Sequence, residues 1–355
     1  MHFFRKRLFF LFLMTMLSGL CLQLQAQEKG KKVKILPVPA IGHSVETGTY
    51  VGAVALFTLD FYQDSLTRTS NAQAEFNYTW KNQVIAEVEW NHFFREEQWF
   101  SRGRVHYSRF PDLYYGVGSD TPESAELDYT TDRVIFEGFA FKRLNSLFFA
   151  GPNLKYINYS RLRIEENGIA FPELTVASTF GLGYGLLSDT RDNLLNPRKG
   201  SYIFVNLTQN WSDANYTEML IDGRYYRSWK DKLTLSLRFI SDFNFQRPPF
   251  YDYAILGGDQ FVRGYYFGRF RDQYMNSFQS EFKFPLVWRF GLAVFGGLSN
   301  LYPEFSAFSV EDFKVNYGAG LRFLVDTKDN INLRIDFARG EADNSAFYIA
   351  FGESF

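Results

Sequence analysis

Four histidines and a single cysteine are the residues of this 355-residue chain that most often form zinc, haem or thiolate sites. His92 and His106 fall on different predicted strands, and His2 and His43 lie near the N-terminus, so no spacing matches a zinc or haem site. A phospholipase in a membrane would pair a serine with a histidine near the lipid surface, but we interpret His92 as an interfacial side chain. We therefore predict that the protein is not an enzyme and has no metal and no cofactor.

The N-terminus has the features of a secretory signal peptide. A basic start, Arg5-Lys6-Arg7, precedes a short apolar run, and Leu24-Gln25-Ala26 provides a cleavage site. The apolar run is too short to span a bilayer. Cys21 could instead carry a lipid, but Leu20 precedes it where a small residue is required. Residues 1–26 are thus a predicted signal peptide, and the slightly acidic remainder offers no basic surface for nucleic acid.

Aromatic and charged residues alternate along most of the chain, which holds 40 Phe, 22 Tyr and 22% charged residues. Successive strand side chains point to opposite faces, so this period separates an apolar face from a polar one. A soluble β-sandwich shares the period, but its apolar face would rarely hold so much Phe; a barrel with lipid outside and water inside requires the pattern. The clearest apolar face holds Leu233, Leu235, Leu237, Phe239, Phe243 and Phe245, opposite Thr234, Ser236, Arg238, Asp242 and Asn244.

The predicted fold is all-β, a transmembrane antiparallel β-barrel of about sixteen strands. After the signal, no apolar run reaches the roughly 18 residues of a spanning helix, and strands satisfy their backbone in lipid only when they close. Residues 47–355 are the predicted barrel domain, and the basic, proline-containing segment 27–46 is a predicted periplasmic tether. A short strand at Leu113 is the least regular, yet an even strand number depends on it. Strands are predicted to begin near Thr47, Ser70, Gln83, Trp99, Leu113, Tyr129, Leu147, Leu174, Ser201, Tyr216, Leu233, Tyr274, Phe290, Phe313, Ile331 and Ser345.

The chain ends in aromatic residues that share one face of an extended strand. That face is interrupted only by Glu353. A terminal aromatic strand is typical of bacterial outer-membrane barrels, so we predict a location in the cell outer membrane of a Gram-negative bacterium, in contact with outer-membrane lipid. The residues of this face are Phe347, Ile349, Phe351 and Phe355.

Two internal motifs and this C-terminus resemble one family. The longest connection, residues 247–273, contains a segment similar to the Val-Arg-Gly-Tyr/Phe signature of the outer-membrane protein 85 superfamily, the BamA/TamA-type bacterial surface antigens. The residues of that signature are Val262, Arg263, Gly264 and Tyr265. An upstream segment resembles the family's Asp-x-Arg-Asp…Pro-x-x-Gly turn, through Asp189, Arg191, Asp192, Pro197 and Gly200.

This resemblance implies a long extracellular loop that folds back into the barrel lumen. Arg263 of the signature would then pair with acids on the inner wall, and Glu281, on the polar face of the next strand, is the first candidate. The family often adds an aspartate one strand later, where this chain has Gly297. The alternative is that Arg263 is a solvated loop cation.

The resemblance also implies a role in inserting proteins into the outer membrane or translocating them across it. Family members usually carry periplasmic domains before the barrel. Here only residues 27–46 separate the signal from the predicted first strand, so we expect a barrel-only member that works with other outer-membrane or periplasmic protein subunits. The client, protein or lipid, stays open.

Three mechanisms are compatible with these features. An insertion or translocation barrel would act through a weak seam between the first strand, Thr47–Leu56, and the last strand, together with the luminal loop. A non-gating accessory or scaffold subunit of an outer-membrane assembly complex is the alternative. A passive channel is disfavoured, because a loop packed into the lumen would obstruct it.

Overall fold

The structure, a computed structural model, describes residues 33–355 except 63, 65, 166–169, 231–232 and 328–329. The predicted signal peptide, residues 1–26, and the start of the predicted tether, residues 27–32, lie outside the described residues. Among the residues described, no helix is long and apolar enough to cross a membrane. The helices are single 3₁₀ turns at Arg95–Glu97, Glu123–Ala125, Phe305–Ala307 and Val310–Asp312.

Sixteen strands of the described chain form one closed barrel, and two short strands form a separate hairpin, β12 with β13. All pairings are antiparallel between neighbours in sequence, except that β11 pairs with β14 and β18 returns to β1. The predicted sixteen-stranded antiparallel barrel is therefore confirmed. The strands are β1 (Val33–Ser44), β2 (Gly48–Leu59), β3 (Ser70–Thr79), β4 (Val84–Phe93), β5 (Trp99–Tyr114), β6 (Leu127–Arg143), β7 (Phe149–Ile164), β8 (Ala177–Asp189), β9 (Gly200–Trp211), β10 (Tyr216–Trp229), β11 (Leu233–Asn244), β12 (Ala254–Leu256), β13 (Phe270–Asp272), β14 (Tyr274–Pro285), β15 (Phe290–Tyr302), β16 (Lys314–Asp326), β17 (Ile331–Arg339) and β18 (Ser345–Phe351).

Side chains alternate between the two faces of the barrel wall, as the sequence period predicts. On β11, Phe239 is 44% exposed whereas its neighbour Arg238 is 4% exposed. On the last two strands, Phe347 and Phe351 are exposed and Asp336 is fully buried. A wall with lipid on one side and charged groups on the other requires this separation.

The first strand of the barrel lies inside the segment predicted to be a tether. Val33–Ser44 is β1, and it pairs with β2 along its whole length, so the assignment of residues 27–46 to a tether and of 47–355 to the barrel is wrong for residues 33–44. Pro37 and Pro39 caused the error, because proline lacks the N–H that a strand ladder uses. Proline is tolerated in edge strands, and β1 has one nearly unpaired edge, with β18.

The separate strand predicted at Leu113 does not exist. Trp99–Tyr114 is one long strand, β5, which pairs with β6 up to Tyr114. The predicted number was right because the missed strand β1 replaces the extra one. Strands before Leu113 therefore run in the opposite direction to the one predicted.

The two ends of the barrel differ in their connections. We call the end where β1 begins and β18 ends the terminal rim, and the end from which residues 245–273 depart the loop rim. The tight turn at Trp80–Asn82 lies at the loop rim, not at the terminal rim as the predicted strand order required, because β1 precedes it.

The aromatic C-terminus does not continue as a strand to its last residue. β18 ends at Phe351, and Gly352 has a φ of 80°, a left-handed conformation that turns the chain. Phe355 is buried, so its predicted position on the face of Phe347 and Phe351 is wrong. Residues 352–355, which we call the C-terminal tail, fold against side chains of the barrel.

If the exposed face contacts lipid, a charged side chain placed on it should destabilise the folded barrel, most strongly near the middle of the bilayer. Phe239→Arg, at the middle of β11, should lower the free energy of unfolding in lipid vesicles by about 2–4 kcal/mol, because arginine is costly at the bilayer midplane. Denaturant titration of the refolded barrel measures this cost. As the control, Val287→Arg lies in an exposed turn at the terminal rim and should cost about 0–1 kcal/mol; equal costs would contradict the assignment.

Candidate functional site

The segment between β11 and β14 is a folded element with its own apolar core. β12 pairs with β13 at its base, and Val262 and Tyr265 of the signature are both fully buried. They pack in a cluster with side chains of the barrel wall, including Ile240, Met275 and Leu301. We call residues 245–273 the long loop.

Glycine is required at two positions of the long loop. Gly257 has a φ of 115°, and a Cβ there would lie 2.0 Å from the carbonyl oxygen of Tyr266. Gly264 has a φ of 107°, and a Cβ there would lie 2.8 Å from the backbone of Arg339. Both positions combine a left-handed backbone with close packing, which only glycine accommodates.

Arg263 binds two carboxylates of the barrel wall at once. Its side chain is 1% exposed, its Nη2 donates to Glu281 Oε2 at 2.7 Å, and its Nη1 donates to Asp336 Oδ2 at 2.6 Å. The guanidinium also stacks on the Phe295 ring, 3.5 Å from its centroid. The structure thus places Arg263 beside Glu281, the candidate partner from the sequence, and not in solvent.

Asp336 is the second acid of this site, and sequence reasoning missed it as a partner. The position of the family's aspartate is Gly297, where a Cβ would lie 2.8 Å from the Phe278 carbonyl oxygen and from Asn316 Oδ1. Asp336 lies on β17 instead. The signal for it was its inward position on an alternating strand, but the sequence does not show that the long loop packs against β17, three strands from β14 in the wall.

Further charged groups extend the contacts of Arg263 with Glu281 and Asp336 into a network that we call the arginine cluster. Arg334 Nη1 donates to Asp336 at 3.1 Å and to Asp259 of the long loop at 2.6 Å. Arg322 pairs with Glu281, with Asp336 and, at 2.9 Å, with Glu353 of the C-terminal tail. Burying a charge is costly unless it is paired. In this cluster each basic side chain lies beside at least one carboxylate. Its members are Arg263, Arg322, Arg334, Lys283, Asp259, Glu281, Asp336 and Glu353.

The remaining signature residues bond to backbone and hydroxyl groups near the end of the chain. Gly264 N donates to the Tyr348 hydroxyl on β18 at 3.2 Å. The Tyr265 hydroxyl donates to the Val315 carbonyl at 2.7 Å and accepts from Glu341 N at 2.9 Å. Burial raises the pKa of Tyr265 to about 12, so this hydroxyl stays a donor at neutral pH.

A second buried ion pair holds the long loop to a different part of the wall. Lys155 Nζ on β7 lies 2.7 Å from Asp252 Oδ2 of the loop and 2.6 Å from Glu218 Oε2 on β10. Beside it, Phe250 packs edge-on against Tyr114 and two further tyrosines. We call Phe250, Tyr251 and Asp252 with Lys155 the second anchor; no sequence motif pointed to it.

The family-type turn between β8 and β9 is built by its charged residues. Arg191 pairs with Asp189 at 2.7 Å, and Asp192 Oδ1 accepts from the backbone N–H groups of Arg198 and Lys199 at 2.9 and 3.2 Å. Gly200 has a φ of 105°, and a Cβ there would lie 2.2 Å from the Thr190 carbonyl oxygen.

This turn also contacts the C-terminal tail at the terminal rim. The Leu195 carbonyl accepts from Glu353 N at 3.3 Å, and Ser354 Oγ of the same tail donates to the Asp259 carbonyl at 2.7 Å. Pro197 of the turn is buried. The turn, the tail and the long loop are therefore joined by hydrogen bonds.

The closure of the barrel is its weakest ladder. β1 and β18 pair at one position, His43 with Ile349, whereas β18 pairs with β17 from Ser345 to Phe351. The predicted seam strand, Thr47–Leu56, falls on β2, which pairs fully with β1 and β3, so that assignment is wrong by one strand. Pro37 and Pro39 are two residues apart, so their backbone nitrogens point to the same edge of β1. Because proline has no N–H, that edge lacks two hydrogen-bond donors.

Comparisons with known proteins agree with this architecture. The Omp85 superfamily domain matches residues 66–355, more than half of the chain. The structure of BamA from Haemophilus ducreyi lacking POTRA domains 1-3 is 11% identical, with a TM-score of 0.60 over 90% of this chain and 70% of that chain. CdiB from Acinetobacter baumannii is 10% identical, with a TM-score of 0.62 over 90% of this chain and 60% of that chain, so this chain spans less than two thirds of CdiB. A comparison with curated proteins gave no match.

Arg263 should be essential for the stability of the long loop. Arg263→Ala leaves Glu281 and Asp336 short of a buried partner, so the free energy of unfolding should fall by about 3–5 kcal/mol. Denaturant titration and the temperature at which the folded band is lost on electrophoresis measure the change. The exposed Arg227, which stacks on Trp229, is the control, and Arg227→Ala should change the free energy by about 0.5 kcal/mol or less; equal effects would contradict the site.

Proposed function

The chain belongs to the Omp85 superfamily, and we propose that it inserts proteins into a bacterial outer membrane or translocates them across it. In this proposal the working parts are the seam between β1 and β18 and the long loop with Val262, Arg263, Gly264 and Tyr265. The location is the outer membrane of a Gram-negative bacterium, where the exposed apolar outer wall contacts lipid.

The observation that carries the proposal is the single pair that joins β1 to β18. A strand edge with free N–H and C=O groups is a template for another strand. In this barrel the edges of β1 and β18 lie next to each other, and the edge of β1 lacks two N–H donors, at Pro37 and Pro39. A client strand could pair with β18 or β1 at a cost of few existing ladder bonds. No other strand pair of the described barrel is joined so sparsely.

The long loop supports the same proposal because it contacts both sides of the seam. Gly264 N bonds to Tyr348 on β18, and Phe267 N bonds at 2.9 Å to Glu46 in the turn between β1 and β2. We infer that the loop lies in the lumen and holds the seam from inside. A shift of the loop would then release both strands together.

The alternative, a non-gating accessory or scaffold subunit, is favoured by the second anchor. The loop is held by Arg263 on one part of the wall and by Asp252 on another, and both ion pairs are buried. Two separate anchors oppose the movement that a gate requires. A passive channel is less favoured, since the same segment would cross its path.

Partner proteins can be identified by purifying the protein from native membranes. Subunits that deliver a client would be found by co-purification in mild detergent and identification of the bound chains. An insertion barrel should retain periplasmic or outer-membrane subunits together with clients. A scaffold should retain subunits only.

A reversible lock across the seam should distinguish the gate from the scaffold. His43 and Ile349 face each other as Cα partners, and a directly opposed strand pair falls in the Cα separation that a disulfide needs. The gate predicts that His43→Cys with Ile349→Cys abolishes client assembly on oxidation and restores it on reduction. The yield of folded client in a reconstituted vesicle assay measures this.

The control lock uses the same strand on its other side. Ile335→Cys with Ile349→Cys joins β17 to β18 across a ladder that is already complete, so oxidation should leave client assembly unchanged. If the seam lock and the control lock support assembly equally, the insertion mechanism is wrong and the scaffold is favoured.

A further inference from the structure

A chamber of about 1100 Å³ lies inside the barrel at the terminal rim. Ends of β1 to β5 and of β7 to β9 surround it, and Leu194 and Leu195 of the family-type turn line it. Its volume is large enough for a small amphiphile.

One wall of the chamber carries a row of polar side chains across five neighbouring strands. The strand register places Lys34 opposite Thr58, Thr58 opposite Asn71, Asn71 opposite Asn91, and Asn91 opposite Arg102. Asn91 donates to Asn71 at 3.1 Å. Neighbouring strands lie about 4.8 Å apart, so amide and hydroxyl groups fill the interval between two cations.

Arg102 differs from the other inward-facing arginines of the wall, which pair with acids. Its guanidinium lies 4.1 Å from the Phe204 centroid and 4.9 Å from that of Phe139, and it donates to the Tyr202 hydroxyl at 2.6 Å. Within the described residues, neither Arg102 nor Lys34 has a carboxylate partner. By contrast, Arg104, two residues along the same strand, pairs with Glu137 at 2.8 Å.

Most acidic side chains near the chamber pair with arginines other than Arg102. Asp189 pairs with Arg191, and Glu97 pairs with Arg68 and Arg143. Glu89 also lines the chamber, but it lies one row deeper, opposite Arg104 in the register. A guanidinium held between aromatic rings, with N–H groups unused by any carboxylate, is a preorganised site for an anion.

Next to this polar row, two residues closer to the terminal rim on β4 and β5, the chamber wall is apolar. Phe93 and Phe100 stack with centroids 4.5 Å apart, and Phe149 and Leu187 pack in the same cluster. We propose that the chamber binds an anionic amphiphile, with the head group at Arg102, Lys34 adding positive charge, and the hydrocarbon part against Phe93 and Phe100. The proposal does not rest on the insertion activity, although β1, which carries Lys34, also forms one side of the seam.

Native mass spectrometry of the purified barrel in a neutral detergent tests the proposal with dihexanoyl phosphatidic acid as the probe. The wild-type protein should bind this lipid. Arg102→Gln should bind it about tenfold or more weakly, because a charge-assisted hydrogen bond is lost, and Arg102→Lys should bind with intermediate affinity. Arg227→Gln removes the same charge from an exposed position and should bind as the wild type does.

Two further probes separate charge from apolar contact. Dihexanoyl phosphatidylcholine, which has no net charge, and inorganic phosphate, which has no hydrocarbon, should both bind at least about tenfold more weakly than phosphatidic acid. Folding of each variant is checked by its electrophoretic migration before and after heating. Equal binding of either probe, or equal binding by Arg102→Gln and the wild type, would overturn the proposal.

Discussion

A buried guanidinium is costly unless acceptor groups satisfy it, and Arg263 is satisfied by carboxylates of the barrel wall on which much of the structure depends. Glu281 and Asp336 satisfy it directly, and these acids in turn bind Arg322 and Arg334. The charges come from strands, from the long loop and from the C-terminal tail. Removing one member takes a partner from at least one other charge, so the elements are coupled through electrostatics as well as through packing.

The backbone ladders of the described barrel differ strongly in length. Most strand pairs are joined by full ladders, but β1 and β18 share one pair. Close to this weak ladder, two backbone N–H groups of the long loop donate to the side chains of Tyr348 and Glu46. The loop therefore contributes to closure where the ladder is sparse. Whether it releases the seam depends on how the second anchor at Lys155 compares with the bonds at Gly264.

The sequence was most informative where a short-range rule applies. The period of two predicted which side chains face lipid, and the polar face that holds Glu281 identified the partner of Arg263. The prediction was wrong at Val33–Ser44, because Pro37 and Pro39 are unfavourable in a ladder and are tolerated only at a nearly unpaired edge. It failed again at Phe355, because the left-handed turn at Gly352 is a local break in an otherwise regular pattern.

By itself, the sequence determined the class of fold, the approximate number of strands, the two faces of each strand and the residues of the signature. The fold class, the strand number and the two faces follow from the alternation of side chains along the chain, and the signature residues follow from a resemblance to a known family; neither needs knowledge of distant segments. The tertiary structure alone decided that Asp336 and Asp252 hold the loop and that β1 lies beside β18. Arg263 and Asp336 are 73 residues apart in sequence. They meet because the long loop packs against the wall that β14 to β17 form, a contact that the pattern of a single strand does not contain.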